Sequence, residues 1–315
     1  MGYKLILKEV INHKEPSKGL VTLAFAAVYI LWGSTYVGIA IAIKTIPPFL
    51  MAGTRFFVAG FILYIYCLLK GEKTPDLISF SKSSATGLLT LFGGTTALIW
   101  GEQYIPSGLA AVIVASVPFW FVLLDKRNWS TNFSDKFTLL GLLVGFAGIL
   151  LLFNGKASFN LYHKAQLIAV AVVIIGGFLW AAGSLYSKYS GAAGSTTMLA
   201  SIQMMAAGIA GIIGSFIAGE PAHFMWSNVS MASIYAVAYL VTFGSIIGYI
   251  AYIWLLQVRP PAIVGTYAYV NPVVAMGLGL LFNNEMIGGT QVAALIIILS
   301  GVLLVNLSKY KKATK

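Results

Sequence analysis

The side chain best suited to bind a charged ligand in this sequence is an arginine inside an apolar segment. Arg55 follows the Pro47–Pro48 pair by about two helical turns, so it would lie roughly 12 Å inside that segment. An unpaired arginine at that depth in a membrane costs at least about 2.5 kcal/mol, and it therefore needs a partner or a water-filled cavity. Two interpretations remain open: Arg55 binds a carboxylate of a ligand, or it forms a structural pair with Glu102.

Aromatic, hydroxyl and amide side chains recur in the same kind of apolar segment. Tyr267 and Asn271 are four residues apart and Tyr249 and Tyr252 are three apart, so each pair shares one face of a helix. Such groups can form a mostly apolar pocket with a few hydrogen-bonding tips. For any single residue, helix packing or an interfacial aromatic belt is the alternative. The predicted cavity residues are Trp32, Ser34, Tyr36, Arg55, Trp100, Ser116, Trp180, Ser184, Tyr249, Tyr252, Tyr267 and Asn271.

Two acidic residues and two prolines complete the predicted site. Glu102 and Glu285 stand near helix ends, where we predict a gate or a helix-end charge. Pro118 and Pro272 fall within apolar helices; a proline there removes a backbone hydrogen bond and is tolerated where the helix faces protein or a polar cavity. We predict hinges at these two prolines, with a purely structural kink as the alternative.

The sequence shows no residues arranged for catalysis, metal binding or nucleic acid. His13, His163 and His223 all lie in predicted tails or loops, and Cys67 is the only cysteine. No phosphate-binding Gly-Lys motif or mid-membrane carboxylate pair is visible. The net charge of +11 is not gathered on a basic face with interleaved aromatic residues. We therefore expect a protein that is not an enzyme and that uses no cofactor, metal or nucleic acid.

The segments that must position the candidate residues are transmembrane helices. Of the 315 residues, 59% are hydrophobic and only 9% are charged, too few to cover a water-soluble protein of this size. Each apolar run has roughly the 20 residues that cross a bilayer. The sequence predicts an all-α integral membrane protein with ten transmembrane helices, at about 20–43, 48–69, 84–104, 107–124, 137–153, 165–187, 196–218, 231–256, 261–282 and 289–307.

The distribution of lysine and arginine predicts the orientation of these helices. With the amino terminus in the cytosol, 16 of the 20 basic residues fall on the cytosolic side and only Lys44, Lys156 and Lys164 on the other. Cytosolic loops of membrane proteins carry such an excess. We therefore expect a multi-pass protein of the plasma or inner membrane with two cytosolic tails, residues 1–19 and the basic residues 308–315.

The helices fall into two related sets of five. A shift of 154 residues brings segment 105–118 onto segment 259–272, and shifts of 148 to 153 align other helices. The aligned residues include Pro106 with Pro260, Pro118 with Pro272, Trp32 with Trp180, Arg55 with Gln203, Gly60 with Gly208 and Gly148 with Gly301. Because five is odd, the second repeat (165–307) must enter the membrane from the opposite side to the first (20–153). This predicts inverted repeats around one central site.

Two stretches of the sequence resemble a known family. Residues 31–63 contain a Trp-Gly-Ser opening, then Pro47–Pro48, then a helix that carries Arg55; residues 271–306 contain a proline-bearing helix that ends near Glu285 and a last helix with glycine. These stretches resemble the EamA family of the drug/metabolite transporter superfamily. The resemblance implies ten helices, cytosolic termini and secondary transport of metabolites, often export of amino acids or related compounds.

Taken together, the leading hypothesis is a transporter that moves a small-molecule substrate across the lipid bilayer by alternating access between the two repeats. Export, uniport or exchange of small metabolites is expected. The first predicted helix contains no acidic residue, which argues against proton-driven efflux of cations. Polyspecific proton-coupled drug export is the alternative, and a non-transporting receptor or assembly subunit is a further one. Glycine-rich faces favour packing within the chain, so we expect a monomer or a weak dimer.

Overall fold

The computed structural model describes residues 17–154, 164–282 and 288–313, and these ranges contain helices and no β-strand. We number the helical segments α1 to α10 in chain order; α3, α4, α8 and α9 are each built from two or three pieces. Their bounds are α1 Lys18–Ala42; α2 Pro48–Leu69; α3 Leu77–Gly87, Leu88–Thr96 and Ala97–Gly101; α4 Ser107–Val114 and Val117–Leu124; α5 Lys136–Asn154; α6 Lys164–Tyr189; α7 Thr196–Ile217; α8 Met231–Tyr239, Leu240–Ile247 and Gly248–Val258; α9 Pro261–Val264 and Tyr267–Phe282; and α10 Gly289–Ala313.

Six of these segments are long and apolar enough to cross a membrane: α1, α2, α4, α6, α7 and α8. Shorter apolar stretches lie in α5, α9 and α10. The segment expected at 84–104 begins earlier, at Leu77, because Pro75 and the extended Asp76 end the preceding loop there. The six segments are what a multi-pass membrane protein requires.

Short polar signals in the sequence fix where several helices begin. Ser17, Ser195 and Ser230 each accept a hydrogen bond from a backbone N–H of the first turn of α1, α7 and α8. The first turn of α2 is held by a residue distant in sequence. The carboxylate of Glu220 accepts the N–H groups of Phe49 at 3.0 Å and Leu50 at 2.8 Å.

The loops gather at two ends of the bundle. At the end where α1 begins, which we call the proximal end, Lys82 Nζ donates to Ser190 O at 2.7 Å and Lys188 Nζ donates to Arg259 O at 3.0 Å. At the opposite, distal end, Thr45 Oγ1 donates to Ser233 Oγ at 2.8 Å. The loops 70–76 and 190–195 are therefore proximal, and the loops 43–47 and 218–230 are distal.

Helices α2 and α7 pack closely and run antiparallel. A Cβ atom at Gly60 would lie 2.7 Å from Met205 N, and one at Gly208 would meet the backbone nitrogen of Phe57. A Cβ atom at Gly53 would lie 2.6 Å from the nitrogen of Ile212. Later positions of α2 thus face earlier positions of α7, and glycine is what lets the two backbones approach.

Helices α5 and α10 form a second antiparallel pair. A Cβ atom at Gly148 would lie 3.0 Å from Ile298 N and 3.1 Å from Ala294 O. At Gly301 it would lie 2.5 Å from Gly145 N and 2.6 Å from Gly141 O. A shift of 153 residues converts the contact of Gly148 with Ile298 into that of Gly301 with Gly145. The same shift converts the contact of Gly148 with Ala294 into that of Gly301 with Gly141. The contacts that α5 makes with α10 are therefore nearly equivalent to those that α10 makes with α5.

The first helix of each half, α1–α5 or α6–α10, packs against the other half. Helix α1 lies against α8 and α9, while α6 lies against α3 and α4. Tyr29 of α1 shares a hydrogen bond of 2.6 Å with Thr266, and Trp32 Nε1 donates to Gly244 O at 3.0 Å. This exchange of helices brings the ring of Trp32 on α1 to that of Trp180 on α6.

Four helices depart from regular α-helical geometry. Helix α4 is interrupted at residues 115–116, directly before Pro118. Helix α9 is interrupted at Gly265 and Thr266, whereas Pro272 lies within its continuous second piece. Helices α3 and α8 each contain a π-helical stretch, Leu88–Thr96 and Leu240–Ile247. Of the two predicted hinge prolines, only Pro118 adjoins an interruption.

Candidate functional site

A cavity lies between the two halves, at the level of Trp32 and Trp180. The cavity volume is about 70 Å³, enough for several waters or part of a small solute. Helices α1 to α4 contribute to its wall from the first half, and α6, α8 and α9 from the second. The predicted residues on this wall are Trp32, Tyr36, Arg55, Trp180, Tyr249, Tyr267 and Asn271.

Aromatic rings form the part of the wall nearest the proximal end. The ring of Trp32 lies 5.4 Å from that of Trp180, 5.0 Å from that of Tyr267 and 4.9 Å from that of Tyr252, measured between centroids. The contacts with Trp180 and Tyr267 are edge-to-face, a geometry that aromatic pairs prefer. Trp32 and Trp180 occupy equivalent positions in the two sequence repeats, and they meet in this part of the cavity wall.

Arg55 supplies the charge on the wall. Its side chain is only 4% exposed, and its Nε donates to Ser245 Oγ at 2.9 Å. Its Nη1 makes no hydrogen bond within the described part of the chain. Glu102 interacts with it electrostatically, but the hydrogen bond goes to Ser245. Because Gly244 has no side chain, the guanidinium fits against α8; a Cβ there would lie 2.7 Å from Nη2.

Asn271 joins α9 to α1 beside the cavity. With its amide oriented to suit its neighbours, its nitrogen donates to Tyr267 O and to Tyr29 O, each at 3.1 Å. Asn271 therefore links two helices that belong to different halves.

Three predicted residues form hydrogen bonds at the proximal side of the aromatic wall. Tyr249 Oη donates to Gln203 Oε1 at 2.7 Å and lies 3.0 Å from Thr90 Oγ1. Tyr252 Oη accepts from Trp180 Nε1 at 3.0 Å and shares a hydrogen bond of 2.6 Å with Ser184. Tyr252 and Ser184 thus support the wall from behind and are not themselves part of it.

The other predicted residues lie away from the cavity. Ser34 bonds Leu31 O and the hydroxyl of Tyr239, and Trp100 packs against Tyr104 with 5.0 Å between ring centroids. Ser116 is buried at the interruption of α4. Glu102 is buried near Arg55 without lining the cavity, and Glu285 lies outside the described residues.

Helical spacing explains which residues reach the wall. The wall residues of α1 are Trp32, Thr35, Tyr36 and Ile39, and those of α3 are Leu91, Gly94, Thr95 and Leu98. Both sets follow positions i, i+3, i+4 and i+7 of one helical face. Ser34 and Trp100 fall off these faces. Thr35 and Ser245 also line the cavity but were not predicted. Thr35 lies three residues after Trp32, and Ser245 lies four residues before Tyr249, so helical spacing would have identified both.

Comparison with known proteins identifies the family. The EamA-like transporter family matches residues 18–154 and again residues 167–307. The chain belongs to this family. The uncharacterized inner membrane transporter YedA of Escherichia coli K12, an EamA relative, is 39% identical over 289 residues, which cover 91% of this chain and 90% of YedA.

More distant relatives cover as much of the chain. A protein of Escherichia coli K12 named a probable amino-acid metabolite efflux pump is 24% identical over 296 residues, covering 91% of this chain and 95% of its own. A solved crystal structure superposes with a TM-score of 0.66 at 16% identity and covers 92% of this chain and 98% of that one. It supports the same overall fold. The EamA-like chain described here is thus a multi-pass membrane protein whose relatives are named as transporters.

Proposed function

We propose that this protein is a secondary transporter that moves small carboxylate-bearing metabolites, such as amino acids, across the membrane by alternating access. The central cavity is the substrate site, α1 to α10 all cross the membrane, and the two halves form inverted repeats. The observation that carries the proposal is the wall of the cavity. Both halves contribute to it, and it holds a buried guanidinium whose Nη1 makes no hydrogen bond in the described residues.

The antiparallel helix pairs support the inverted arrangement. The repeat places α2 and α7 at equivalent positions, and likewise α5 and α10. Repeats related by an axis along the membrane normal would keep equivalent helices parallel, whereas repeats related by an axis in the membrane plane make them antiparallel. The helices joined by the contacts of Gly60 with Met205 and of Gly301 with Gly145 run antiparallel. In transporters with such repeats, exchanging the conformations of the halves exposes one central site to either side.

The charge distribution supports a cytosolic proximal end. Of the 20 lysine and arginine residues, five lie in the loops 70–76, 125–135 and 259–260, and eight lie in the terminal segments 1–19 and 308–315. Lys82, Lys136 and Lys188 add three more near the proximal ends of their helices, so 16 of 20 belong to this side. We therefore place both termini in the cytosol of a cell whose plasma or inner membrane holds the protein. Substrate would enter the cavity from this side for export, and from either side for uniport or exchange.

The chemistry of the wall favours a carboxylate over a cation. Among the described residues that line the cavity, Arg55 is the single charged side chain, and the remainder are aromatic, aliphatic or neutral polar groups. A cation would meet a like charge in a site of low dielectric constant, which is costly. A carboxylate would accept the free N–H of Arg55. One relative is named as a probable amino-acid metabolite efflux pump, which agrees with this substrate class.

A counterflow assay tests the proposal. Purified protein in liposomes loaded with one unlabelled amino acid is given the same amino acid, radiolabelled, outside, and the full set of amino acids and simple carboxylates is compared with their amides. We expect label to accumulate for at least one carboxylate and not for its amide. Equal accumulation of carboxylate and amide would contradict the role of Arg55, and absence of accumulation across the whole set would contradict transport of this substrate class.

A further inference from the structure

A second cavity lies at the proximal end of the bundle, separate from the central one. Its volume is about 140 Å³. Its wall is formed by the helices α3, α6, α7 and α8 and by the loop that follows α6. We call it the proximal pocket. The polar groups on its wall include Ser83, Thr86, Ser187, Lys188, Ser190 and Gln203.

Two hydroxyl groups indicate that the proximal pocket holds water or a polar solute. Ser83 is 1% exposed, and its Oγ forms no hydrogen bond within the described residues. The same holds for the buried Oγ of Ser190. A buried polar group without a partner costs about 1–3 kcal/mol, so both hydroxyls require a bound molecule. The pocket is polar and large enough for several waters to serve that purpose.

A single layer of side chains separates the proximal pocket from the central cavity. Tyr249 lines the central cavity and Gln203 lines the proximal pocket, and the hydrogen bond of 2.7 Å between them joins the two walls. Thr90 contacts the Tyr249 hydroxyl at 3.0 Å, and one turn away Thr86 lines the proximal pocket. We call Tyr249, Gln203 and Thr90 the partition.

Two of the three helices that carry the partition, α3 and α8, contain the π-helical stretches. Thr90 lies inside Leu88–Thr96 of α3, and Tyr249 comes two residues after Leu240–Ile247 of α8. π-helical turns are rare and often mark functional sites, where a helix changes its local register. A register change in either helix would move Thr90 or Tyr249 relative to Gln203 on α7.

We propose that the proximal pocket is a hydrated vestibule of the transport pathway, and that the partition closes the central cavity toward it in this conformation. This inference rests on the proposed function, since a vestibule requires a solute that passes. The hydroxyl, amide and ammonium groups of the pocket suit a small, hydrated zwitterion. Opening requires that Tyr249 leave Gln203, which joins the two cavities into one passage.

Cysteine labelling tests the partition without any need to know the substrate. Cys67 is the only cysteine and is buried, so Cys67→Ala gives a background without thiols. Ser83→Cys then reports on the proximal pocket, and Thr95→Cys reports on the central cavity. A membrane-impermeant maleimide is added to one side of sealed vesicles at a time, in both vesicle orientations, and the labelling rate is measured.

We expect Ser83→Cys to react from the proximal side and Thr95→Cys to react slowly from that side. Adding Gln203→Leu or Tyr249→Phe removes one hydrogen bond of the partition and should raise the proximal labelling rate of Thr95→Cys by about tenfold. Tyr239→Phe is the matched control: it removes a hydrogen bond to Ser34, neither residue lines the central cavity or the proximal pocket, and the rate should stay unchanged.

Two results would overturn the inference. One is a Ser83→Cys thiol that does not react from the proximal side. The other is a Thr95→Cys labelling rate that neither Gln203→Leu nor Tyr249→Phe changes, in proteins that elute as folded species. Counterflow measured on the same vesicles separates the two proposals. If counterflow occurs but the Thr95→Cys labelling rate does not change in the partition variants, the partition is rejected and transport is not. If the labelling rate changes but no solute shows counterflow, transport is rejected and the partition is not.

Discussion

Arg55 and Gln203 occupy equivalent positions in the two sequence repeats but have different roles at opposite sides of the central cavity. The side chain of Arg55 on α2 extends into the cavity and donates to Ser245 of α8. The amide of Gln203 on α7 faces the proximal pocket and accepts from Tyr249 of α8. The glycine contacts between α2 and α7 are matched in the two repeats, whereas the polar residues they position are not. The scaffold is therefore nearly symmetric while the site is not.

This difference separates the packing contacts, which the two halves share, from the polar side chains, which they do not share. Two antiparallel halves with similar packing can interchange conformations at small cost. In the proposed mechanism, a charge present in one half only would bind the same end of the substrate in both conformations. The neutral Tyr249–Gln203 contact opens without exposing a buried charge. In the proposed mechanism, the matched packing therefore supports the conformational change, and the unmatched side chains select the substrate.

The largest expected effect tests the symmetry of the scaffold. Gly60→Leu and Gly208→Leu each place a side chain against the backbone of the facing helix, which cannot move aside, and each should lower stability by more than about 3 kcal/mol. We expect the two losses to be similar, seen as loss of folded protein in size-exclusion chromatography and of the thermal unfolding transition. Gly277→Leu is the control, since a Cβ at that helical position meets nothing within 4 Å. Markedly unequal losses for Gly60 and Gly208 would break the symmetry argument.

The second effect tests the asymmetry of the site. Arg55→Gln gives both repeats the same residue at this position. It should weaken binding of a transported carboxylate by about 10- to 100-fold, because a hydrogen bond to a charged group contributes about 1.5–3 kcal/mol. The variant also leaves the buried Glu102 without the charge of Arg55, so size-exclusion chromatography must first show that the protein is folded. The concentration dependence of counterflow measures the change, and Arg259→Gln at the proximal end is the control. Unchanged affinity in Arg55→Gln would assign this residue a structural role.

A smaller effect sharpens the role of the partner of Arg55. Ser245→Ala removes the group that accepts from Arg55 Nε and leaves the charge in place. We expect carboxylate binding to weaken by about three- to tenfold, because the guanidinium loses one hydrogen bond that orients it. The same counterflow assay measures the change. A loss as large as that of Arg55→Gln would mean that Ser245 itself contacts the substrate.

The smallest effect concerns a predicted residue that the structure places outside the site. Ser34→Ala and Tyr239→Phe each remove the hydrogen bond between α1 and α8 on the outer face of α1. Such bonds between membrane helices contribute about 0.6 kcal/mol on average. We expect a slight fall in the thermal midpoint and unchanged substrate affinity. A specific loss of affinity in either variant would show that the wall of the cavity extends further than the described lining residues.

The sequence predicted membrane segments and the repeat because both depend on local composition. Apolar runs of about 20 residues and matched glycines and prolines are visible without any contact information. The wall of the cavity was only partly predicted. Arg55 was identified as a charge inside an apolar helix, and Trp32 and Asn271 as aromatic and amide side chains that recur in such helices, whereas Thr35 and Ser245 look like ordinary helix residues. Ser34 and Trp100 do not line the cavity, because residue type alone does not give the helical phase that decides which side chains face it.

The sequence by itself determined that this chain lies in a membrane, that it consists of two related halves of the EamA type, and that Arg55 breaks the relation between them. Only the tertiary structure determined that Trp32 meets Trp180, that Arg55 donates to Ser245 instead of Glu102, and that Tyr249 donates to Gln203. The physical reason is distance along the chain. Hydropathy and repeats are properties of neighbouring residues, whereas a cavity wall depends on how seven separate helices pack against one another.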